Sequence, residues 1–131
     1  MQGEANRGKR ILIVDDNTEA AEMLQMLLEL HGYHVDVAAS GEQGLLCAAQ
    51  LQPQVICSDL TMPGMSGFEF ARTIRAGETR REKFLIAVSG LAYDTAGETM
   101  HAGFDLRLVK PFSLDQVLAP IDAFFARQDG D

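Results

Sequence analysis

The sequence predicts an α/β fold, a doubly wound five-stranded parallel sheet with five helices. Three observations predict it. Short apolar runs recur along the chain, and turn residues bound them. A helix-start signal follows each run, and three of these signals have the capping-box form Ser-x-x-Gln or Ser-x-x-Glu. The links between the segments are short, which favours a parallel sheet with right-handed crossovers.

Length and composition fit a single domain and argue against several function classes. The chain has 131 residues, of which 47% are hydrophobic, and its formal net charge is -8. Domains that bind nucleic acid are usually basic, so we expect no direct nucleic-acid contact. No apolar run approaches the ~20 residues of a membrane span, and no signal-peptide core precedes the first strand, so we expect a cytoplasmic protein. Cys47 and Cys57 lack metal-ligand spacing and fit small apolar side chains in a reducing compartment.

Five apolar runs predict the strands, at residues 11–14, 33–38, 55–59, 84–88 and 106–109. The first, third and fourth runs are almost continuously apolar, which is typical of strands covered on both faces in a parallel sheet. The second run alternates, and the fifth is short. We expect a flexible lead at residues 1–8, one domain over 9–127 and a C-terminal tail at 128–131.

Five segments predict the helices, at about residues 18–31, 41–52, 67–76, 94–102 and 114–127. Asn17 or Thr18 can cap the first helix. Capping boxes begin the second, third and fifth helices, at Ser40, Ser66 and Ser113. Gly97 weakens the fourth helix by about 1 kcal/mol relative to alanine. Pro120 should kink the fifth helix or split it in two.

Polar side chains follow four of the five predicted strands. Asp15 and Asp16 follow the first, Asp59 ends the third, Ser89 follows the fourth and Lys110 follows the fifth. The carboxyl ends of parallel strands lie at one edge of the sheet, so these side chains should meet there. Three carboxylates within a few ångströms of one another repel by roughly 4 kcal/mol per pair. Such a group takes up protons or binds a hard cation such as Mg²⁺. Lys110 and Ser89 could then each hold one phosphoryl oxygen, which leaves the central carboxylate, Asp59, as the nucleophile.

Over nearly its whole length the sequence resembles a response-regulator receiver domain, the phosphoacceptor module of two-component signalling. The matching segments are IVDDN (13–17), DLTMPGMSG (59–67), VSG (88–90), AGFD (102–105) and VKPF (109–112). The resemblance implies a flavodoxin-like fold with strand order 2-1-3-4-5. It also implies a cis peptide bond between Lys110 and Pro111.

The resemblance implies a function for the acidic edge. A partner's phosphohistidine would donate a phosphoryl group to Asp59. Mg²⁺, or Mn²⁺ in its place, would be held by Asp16, Asp59 and the backbone carbonyl of Thr61, with Asp15 acting through water. The domain would catalyse only its own phosphotransfer and dephosphorylation, so it would not be an enzyme with a separate substrate.

The resemblance also implies the kind of partner. A sensor histidine kinase or a histidine-phosphotransfer protein would be the phosphodonor, and a downstream protein would be the target. The domain would work without a membrane, as a monomer or as a dimer formed on phosphorylation.

Three positions depart from the family pattern. Arg107 stands where many members have Tyr or Phe, three residues before the lysine. We expect Arg107 to stay on the surface formed by the fourth helix, fifth strand and fifth helix, and to contact a partner. Leu91 and Thr61 flank the expected path of a hydrolytic water. Because neither is an acid or an amide, we expect a longer phosphoryl lifetime than in fast chemotaxis receivers.

Three other readings remain open at this point. A haloacid-dehalogenase-like phosphohydrolase would need a second acid two residues after the nucleophile, where this chain has Thr61. A flavodoxin-type electron carrier would need a phosphate loop after the first strand, where this chain has two acids. A receiver fold kept only as an unphosphorylated interaction module would not need the intact set of acids.

Overall fold

The computed structural model describes residues 8–90 and 96–129. Its five strands are β1 (Arg10–Val14), β2 (His34–Ala38), β3 (Val55–Asp59), β4 (Phe84–Ser89) and β5 (Leu106–Val109). They form one parallel sheet in the order β2-β1-β3-β4-β5. The predicted doubly wound sheet and the flavodoxin-like strand order are therefore confirmed.

Helices connect the strands. They are α1 (Thr18–Leu30), α2 (Gly41–Leu51), α3 (Gly67–Ala76), α4 (Ala96–Ala102) and α5 (Leu114–Asp129). The predicted start of α4 at Asp94 lies outside the described residues, as does the predicted N-terminal lead apart from Gly8. The last helix reaches Asp129, so Gln128 and Asp129 belong to it rather than to a tail. Asp129 is held there because its carboxylate pairs with the Lys9 ammonium at 2.6 Å.

Side-chain caps begin the helices that the capping-box pattern predicts. At α3, Ser66 Oγ accepts from the Glu69 N–H at 3.2 Å, and the Glu69 carboxylate accepts from the Ser66 N–H at 3.1 Å. The same reciprocal pair begins α5. At α2, Ser40 caps as predicted, but the Gln43 side chain accepts from the Ala39 N–H, one residue before the cap.

The last helix runs through Pro120 without interruption. Of the two expected outcomes, the split into two helices is therefore wrong, and the kink stays a prediction. A proline inside a helix removes one backbone hydrogen bond. Large side chains on both sides of Pro120 are buried and hold the helix on the sheet: Val117, Leu118, Ile121, Phe124 and Phe125. Burial of each such side chain contributes about 1.5 to 3 kcal/mol, which offsets the lost bond.

Both faces of the sheet are covered, and β1 shows how. Ile11 and Ile13 belong to an apolar cluster that includes buried residues of α1 and α5. Leu12 and Val14 belong to a second cluster, which includes buried residues of α2, α3 and α4. Successive side chains of a strand point to opposite faces, so a strand covered twice has to be apolar throughout. This explains the continuous apolar runs.

The first residue of α3, Gly67, packs directly against the end of β3. Its N–H donates to the Leu60 carbonyl at 3.0 Å. A Cβ on Gly67 would collide with the Asp59 carbonyl oxygen and lie 2.8 Å from the Cα of Leu60. Only glycine therefore lets α3 begin so close to the strand that ends in Asp59.

We expect Gly67→Ala to lower the free energy of unfolding by about 3 kcal/mol, because backbone atoms cannot move aside as a flexible side chain can. The matched control is Gly97→Ala. A Cβ on Gly97, inside α4, meets no atom within 4 Å, so that change should raise stability by about 0.5 to 1 kcal/mol. Urea unfolding of both variants measures the difference. Equal effects would contradict the packing described for Gly67.

Candidate functional site

The acidic edge of the sheet begins where β1 turns into α1. The Asp15 N–H donates to the Ala38 carbonyl at 3.0 Å, which extends the β1–β2 pairing by one residue. Asp15 Oδ1 accepts from the Asn17 N–H at 2.9 Å, and Asn17 Oδ1 caps α1 by accepting from the Ala20 N–H at 3.2 Å. These bonds bury Asp15 and leave its neighbour Asp16 exposed.

The central carboxylate of the edge is Asp59, the last residue of β3. It is partly buried, and its register partner on β4 is Val88. The next residue extends this pairing, since the Leu60 N–H donates to the Val88 carbonyl at 3.2 Å. Asp59 Oδ1 accepts from the Thr61 N–H at 3.4 Å. The backbone on both sides of Asp59 is thus held in place.

The three carboxylates converge. One oxygen from each of Asp15, Asp16 and Asp59 lies within 4.8 Å of the other two. The Lys110 Nζ atom approaches two of them, at 3.5 Å from Asp15 Oδ2 and 3.8 Å from Asp59 Oδ2. Residues that are far apart in the sequence therefore form one charged cluster.

Ser89 and Lys110 reach this edge from neighbouring strands. Ser89 is the buried last residue of β4, directly after the register partner of Asp59. The Lys110 N–H donates to the Ser89 carbonyl at 2.7 Å, which locks the end of β5 to the end of β4. The peptide bond between Lys110 and Pro111 is cis, as predicted.

Of the three positions that depart from the family pattern, Thr61 adjoins the acidic cluster, because its N–H donates to Asp59 Oδ1. Arg107 is on β5, paired in register with Ala87, and it is only partly exposed, with its Nε atom buried. Its contact with a partner stays a prediction. Leu91 lies outside the described residues.

The environment of Asp59 changes its acidity. Burial raises the pKa of Asp59 above its ordinary value, and the nearby Asp15 carboxylate raises it further. The Lys110 ammonium and the backbone N–H groups of Thr61 and Leu60 act in the opposite direction, and the net shift is upward. Lys110 therefore favours the ionised, nucleophilic form of Asp59.

The donor set suits a hard divalent cation. All three side chains offer carboxylate oxygens, which Mg²⁺ prefers together with water. Because Asp16 is exposed, the cluster is open to solvent on one side. A cation there would remove the repulsion that three close carboxylates create.

Sequence reasoning missed an apolar groove beside this cluster. The groove has a volume of about 470 Å³ and runs between α1 and the segment that links β5 to α5. Met23, Leu24 and Leu27 line one side and Phe112 and Leu114 the other. Asp15, Asp59 and Lys110 also line this groove.

The outer face of α1 carries apolar side chains next to the groove. Met23, Met26 and Leu30 are 62%, 56% and 76% exposed. Their i, i+3, i+7 spacing is visible in the sequence and shows that they share one side of the helix, but it does not show that this side faces solvent.

Comparisons with known proteins agree with this geometry. Residues 11–122 match the family described as the response regulator receiver domain. The chain is 32% identical over 121 residues to the DNA-binding dual master transcriptional regulator RpaA of Synechocystis, which covers 92% of this chain and 50% of RpaA. It is 34% identical over 123 residues to the response regulator MprA of Mycobacterium sp., which covers 93% of this chain and 53% of MprA. The chain spans about half the length of these curated relatives.

Solved structures are similar over nearly their whole length. The chemotaxis protein CheY4 of Vibrio cholerae is 29% identical with a TM-score of 0.82, covering 88% of this chain and 98% of CheY4. The response regulator TrrA of Thermotoga maritima, solved in complex with Mg²⁺-BeF, is 30% identical with a TM-score of 0.78, covering 88% of this chain and 98% of TrrA. Among the residues described here, no helix combines the length and apolar character that a membrane crossing requires.

We expect opposite pKa changes at Asp59 when its two charged neighbours are neutralised. Asp15→Asn removes a repulsive charge and should lower the pKa of Asp59, whereas Lys110→Met removes an attractive charge and should raise it. Carbon-13 NMR of the Asp59 carboxyl group, titrated in metal-free buffer, measures both shifts. Lys83→Met also removes one lysine charge, but Lys83 lies just before β4, at the opposite edge of the sheet. This control should leave the pKa of Asp59 unchanged. Shifts of the same sign in the first two variants would contradict the proposed electrostatics.

Proposed function

The chain belongs to the response regulator receiver family, and on that premise we propose that Asp59 accepts a phosphoryl group from the phosphohistidine of a partner protein. The observation that carries the proposal is the cluster itself. One oxygen of the Asp59 carboxylate lies within 4.8 Å of oxygens of Asp15 and Asp16, and the Lys110 Nζ atom lies 3.8 Å from Asp59 Oδ2. A nucleophile, an oxygen-rich cation site and a phosphate-binding ammonium thus lie within a few ångströms of one another.

Asp16, Asp59 and the backbone carbonyl of Thr61 would hold Mg²⁺, with Asp15 acting through water. When bound, the ion supplies positive charge that neutralises phosphoryl oxygens. The carboxylate oxygens of this chain fit that ion, as argued above, and the similar TrrA was solved with Mg²⁺-BeF.

The chemistry proposed for Asp59 is a single displacement. One carboxylate oxygen attacks phosphorus, the P–O bond forms, and the P–N bond to the partner's histidine breaks. Lys110 and the Ser89 hydroxyl each hold one oxygen of the transferred group. The domain acts only on its own phosphoryl group, as is general for receiver domains.

The phosphodonor has to bring its histidine to this edge, and we propose that it docks on α1. Met23, Met26 and Leu30 form an exposed apolar stripe on α1, and Met23 also lines the groove that contains Asp59. Such a stripe fits another helix, because apolar side chains at helical spacing interdigitate. A histidine kinase or a histidine-phosphotransfer protein that presents its histidine on a helix would match both the stripe and the cluster.

The chain covers about half the length of its curated relatives, and one of them, RpaA, is named as a DNA-binding transcriptional regulator. We propose that this domain responds through protein contacts, including one at Arg107, rather than by binding nucleic acid. Its net charge of -8 would repel a polyanion.

We expect Asp59→Asn to abolish phosphorylation by acetyl phosphate in the presence of Mg²⁺, because the amide is not a nucleophile. Intact-protein mass spectrometry measures the addition of one phosphoryl group. Asp36→Asn, which changes a partly exposed acid on β2, is the matched control and should be phosphorylated like the unchanged chain. Phosphorylation of the Asp59 variant to the same extent would refute the assignment of the acceptor.

We expect Met26→Glu to slow phosphotransfer from a phosphorylated histidine kinase by about tenfold or more, because a charge would have to be buried in the docking contact. Phosphorylation by acetyl phosphate, which needs no docking, should be unchanged. Leu46→Glu is the control, since Leu46 is 65% exposed on α2, a helix that packs on the other face of the sheet. If Leu46→Glu slowed transfer and Met26→Glu did not, the docking surface would be misplaced.

A further inference from the structure

A second charged surface lies at the opposite edge of the sheet from Asp59. It is an open concavity of about 480 Å³, which we call the basic concavity. It is lined by Arg72, Arg75, Arg80, Arg81, Met100 and His101, together with Ala76, Glu78, Ala102 and Gly103. These residues belong to the end of α3, the loop before β4 and the end of α4. The amino ends of β4 and β5 follow directly, so the concavity faces away from the acidic cluster.

The concavity concentrates positive charge on an acidic chain. Residues 72–83 contain five of the eleven lysines and arginines and only two acids, Glu78 and Glu82. The chain as a whole has a net charge of -8. A partner of negative charge is therefore repelled by most of the surface and attracted by this part of it.

Arg75 is one of the residues that line the concavity, and its guanidinium donates four hydrogen bonds. Its guanidinium donates to Glu78 Oε1 and to the Lys83 carbonyl, both at 2.9 Å. It also donates to the Gly103 carbonyl at 2.8 Å and to Asp105 Oδ2 at 2.7 Å. Arg75 thus ties α3 to the loops before β4 and β5, which fixes the shape of the concavity.

The acids beneath the arginines are already saturated. The second oxygen of Glu78 accepts from the N–H groups of Glu82 and Lys83, at 3.2 and 2.9 Å. Burial raises the pKa of Glu78, but the hydrogen bonds from Arg75 and from these amides outweigh that effect. The pKa of Glu78 therefore lies below its usual value. Asp105 accepts from Arg81 at 3.0 Å through one oxygen and from the Leu85 N–H at 2.9 Å through the other. Both carboxylates therefore face inward and leave the outer surface positive.

The outer cations are available to a partner. Arg72 is exposed and has no ion pair among the residues that the structure describes. Arg80 has a side chain that is 86% exposed, and its pair with Glu82 at 3.4 Å is between two exposed groups. Such pairs contribute about 1 kcal/mol at most, so a better-placed carboxylate could displace Glu82. Met100, 51% exposed, adds an apolar side chain to the same lining.

We propose that the basic concavity binds an acidic amphipathic segment of a partner protein. Carboxylates of the segment pair with Arg72, Arg80 and the exposed part of Arg81, and an apolar side chain of the segment contacts Met100. Guanidinium groups recognise carboxylates through two parallel hydrogen bonds. An extended nucleic acid fits less well, since it would meet the acidic remainder of the surface and offers no apolar group to Met100.

The location of the concavity gives this contact a distinct role. The acidic cluster lies at the carboxyl edge of the sheet, whereas the concavity lies at the amino edge. A partner held by Arg72 and Arg80 can therefore remain bound while a phosphodonor approaches Asp59. The proposed contact does not depend on phosphotransfer, so a test of one does not decide the other.

The test uses a fluorescent synthetic helix of about 14 residues, long enough to become helical on binding, with Glu and Leu on opposite faces. Fluorescence anisotropy at low and moderate salt measures its affinity for the whole chain. We expect binding that weakens with salt, and a loss of about tenfold in affinity for Arg72→Glu combined with Arg80→Glu. NMR amide shifts on peptide addition should concentrate at the ends of α3 and α4.

Two controls test whether peptide binding depends on this site or only on the charge of the whole protein. Arg127→Glu reverses one exposed charge on α5 and should change affinity less than about twofold, and a peptide with Gln in place of Glu should not bind. The double variant Arg72→Glu with Arg80→Glu and the variant Arg127→Glu should both still be phosphorylated by acetyl phosphate, which shows that they fold. Equal loss in Arg127→Glu, equal binding of the Gln peptide, or tighter binding of a single-stranded oligonucleotide through the same arginines would overturn the proposal.

Discussion

The repulsion among three carboxylates at one edge of the sheet is the constraint on which the site depends. Asp15, Asp16 and Asp59 come within 4.8 Å of one another, and the only cation near them in the described structure is the Lys110 ammonium. One positive charge cannot balance three negative ones. The cluster is therefore incompletely neutralised, and it can lower its energy by taking up a proton, a divalent cation or both.

The remainder of the fold prevents these carboxylates from moving apart. Continuous apolar strands, covered on both faces, leave the strand ends no freedom to turn. Backbone bonds then fix each functional residue: the Asp15 N–H to Ala38, and the Lys110 N–H to Ser89. The close approach of α3 at Gly67 fixes the loop after Asp59. Packing energy from the core thus holds together charges that would otherwise separate, and this is the physical link between stability and function in the domain.

Local chemistry explains what the sequence could predict, and long-range contacts explain what it could not. The caps at Ser66 and Ser40 depend on residues three positions away, so the helix starts were predictable. The acidic cluster was predictable because a parallel sheet brings its strand ends to one edge. The extension of α5 to Asp129 was not, because it depends on a pair with Lys9 from the other end of the chain. The intact passage of that helix through Pro120 also depends on burial that no local pattern reports.

The same distinction explains why the two surfaces used in the proposals escaped sequence reasoning. Whether Met26 on α1 faces the core or solvent depends on the angle at which the helix lies on the sheet. The basic concavity depends on Arg75, which reaches the Gly103 carbonyl and Asp105 across some thirty positions of sequence. Because the helices and the loops before β4 and β5 are tied together by such contacts, the two edges of the sheet carry opposite charge on a rigid frame. The proposed acidic partner segment would be attracted to the concavity and repelled from the acidic edge, so this charge pattern would keep it from competing with the proposed phosphodonor of Asp59.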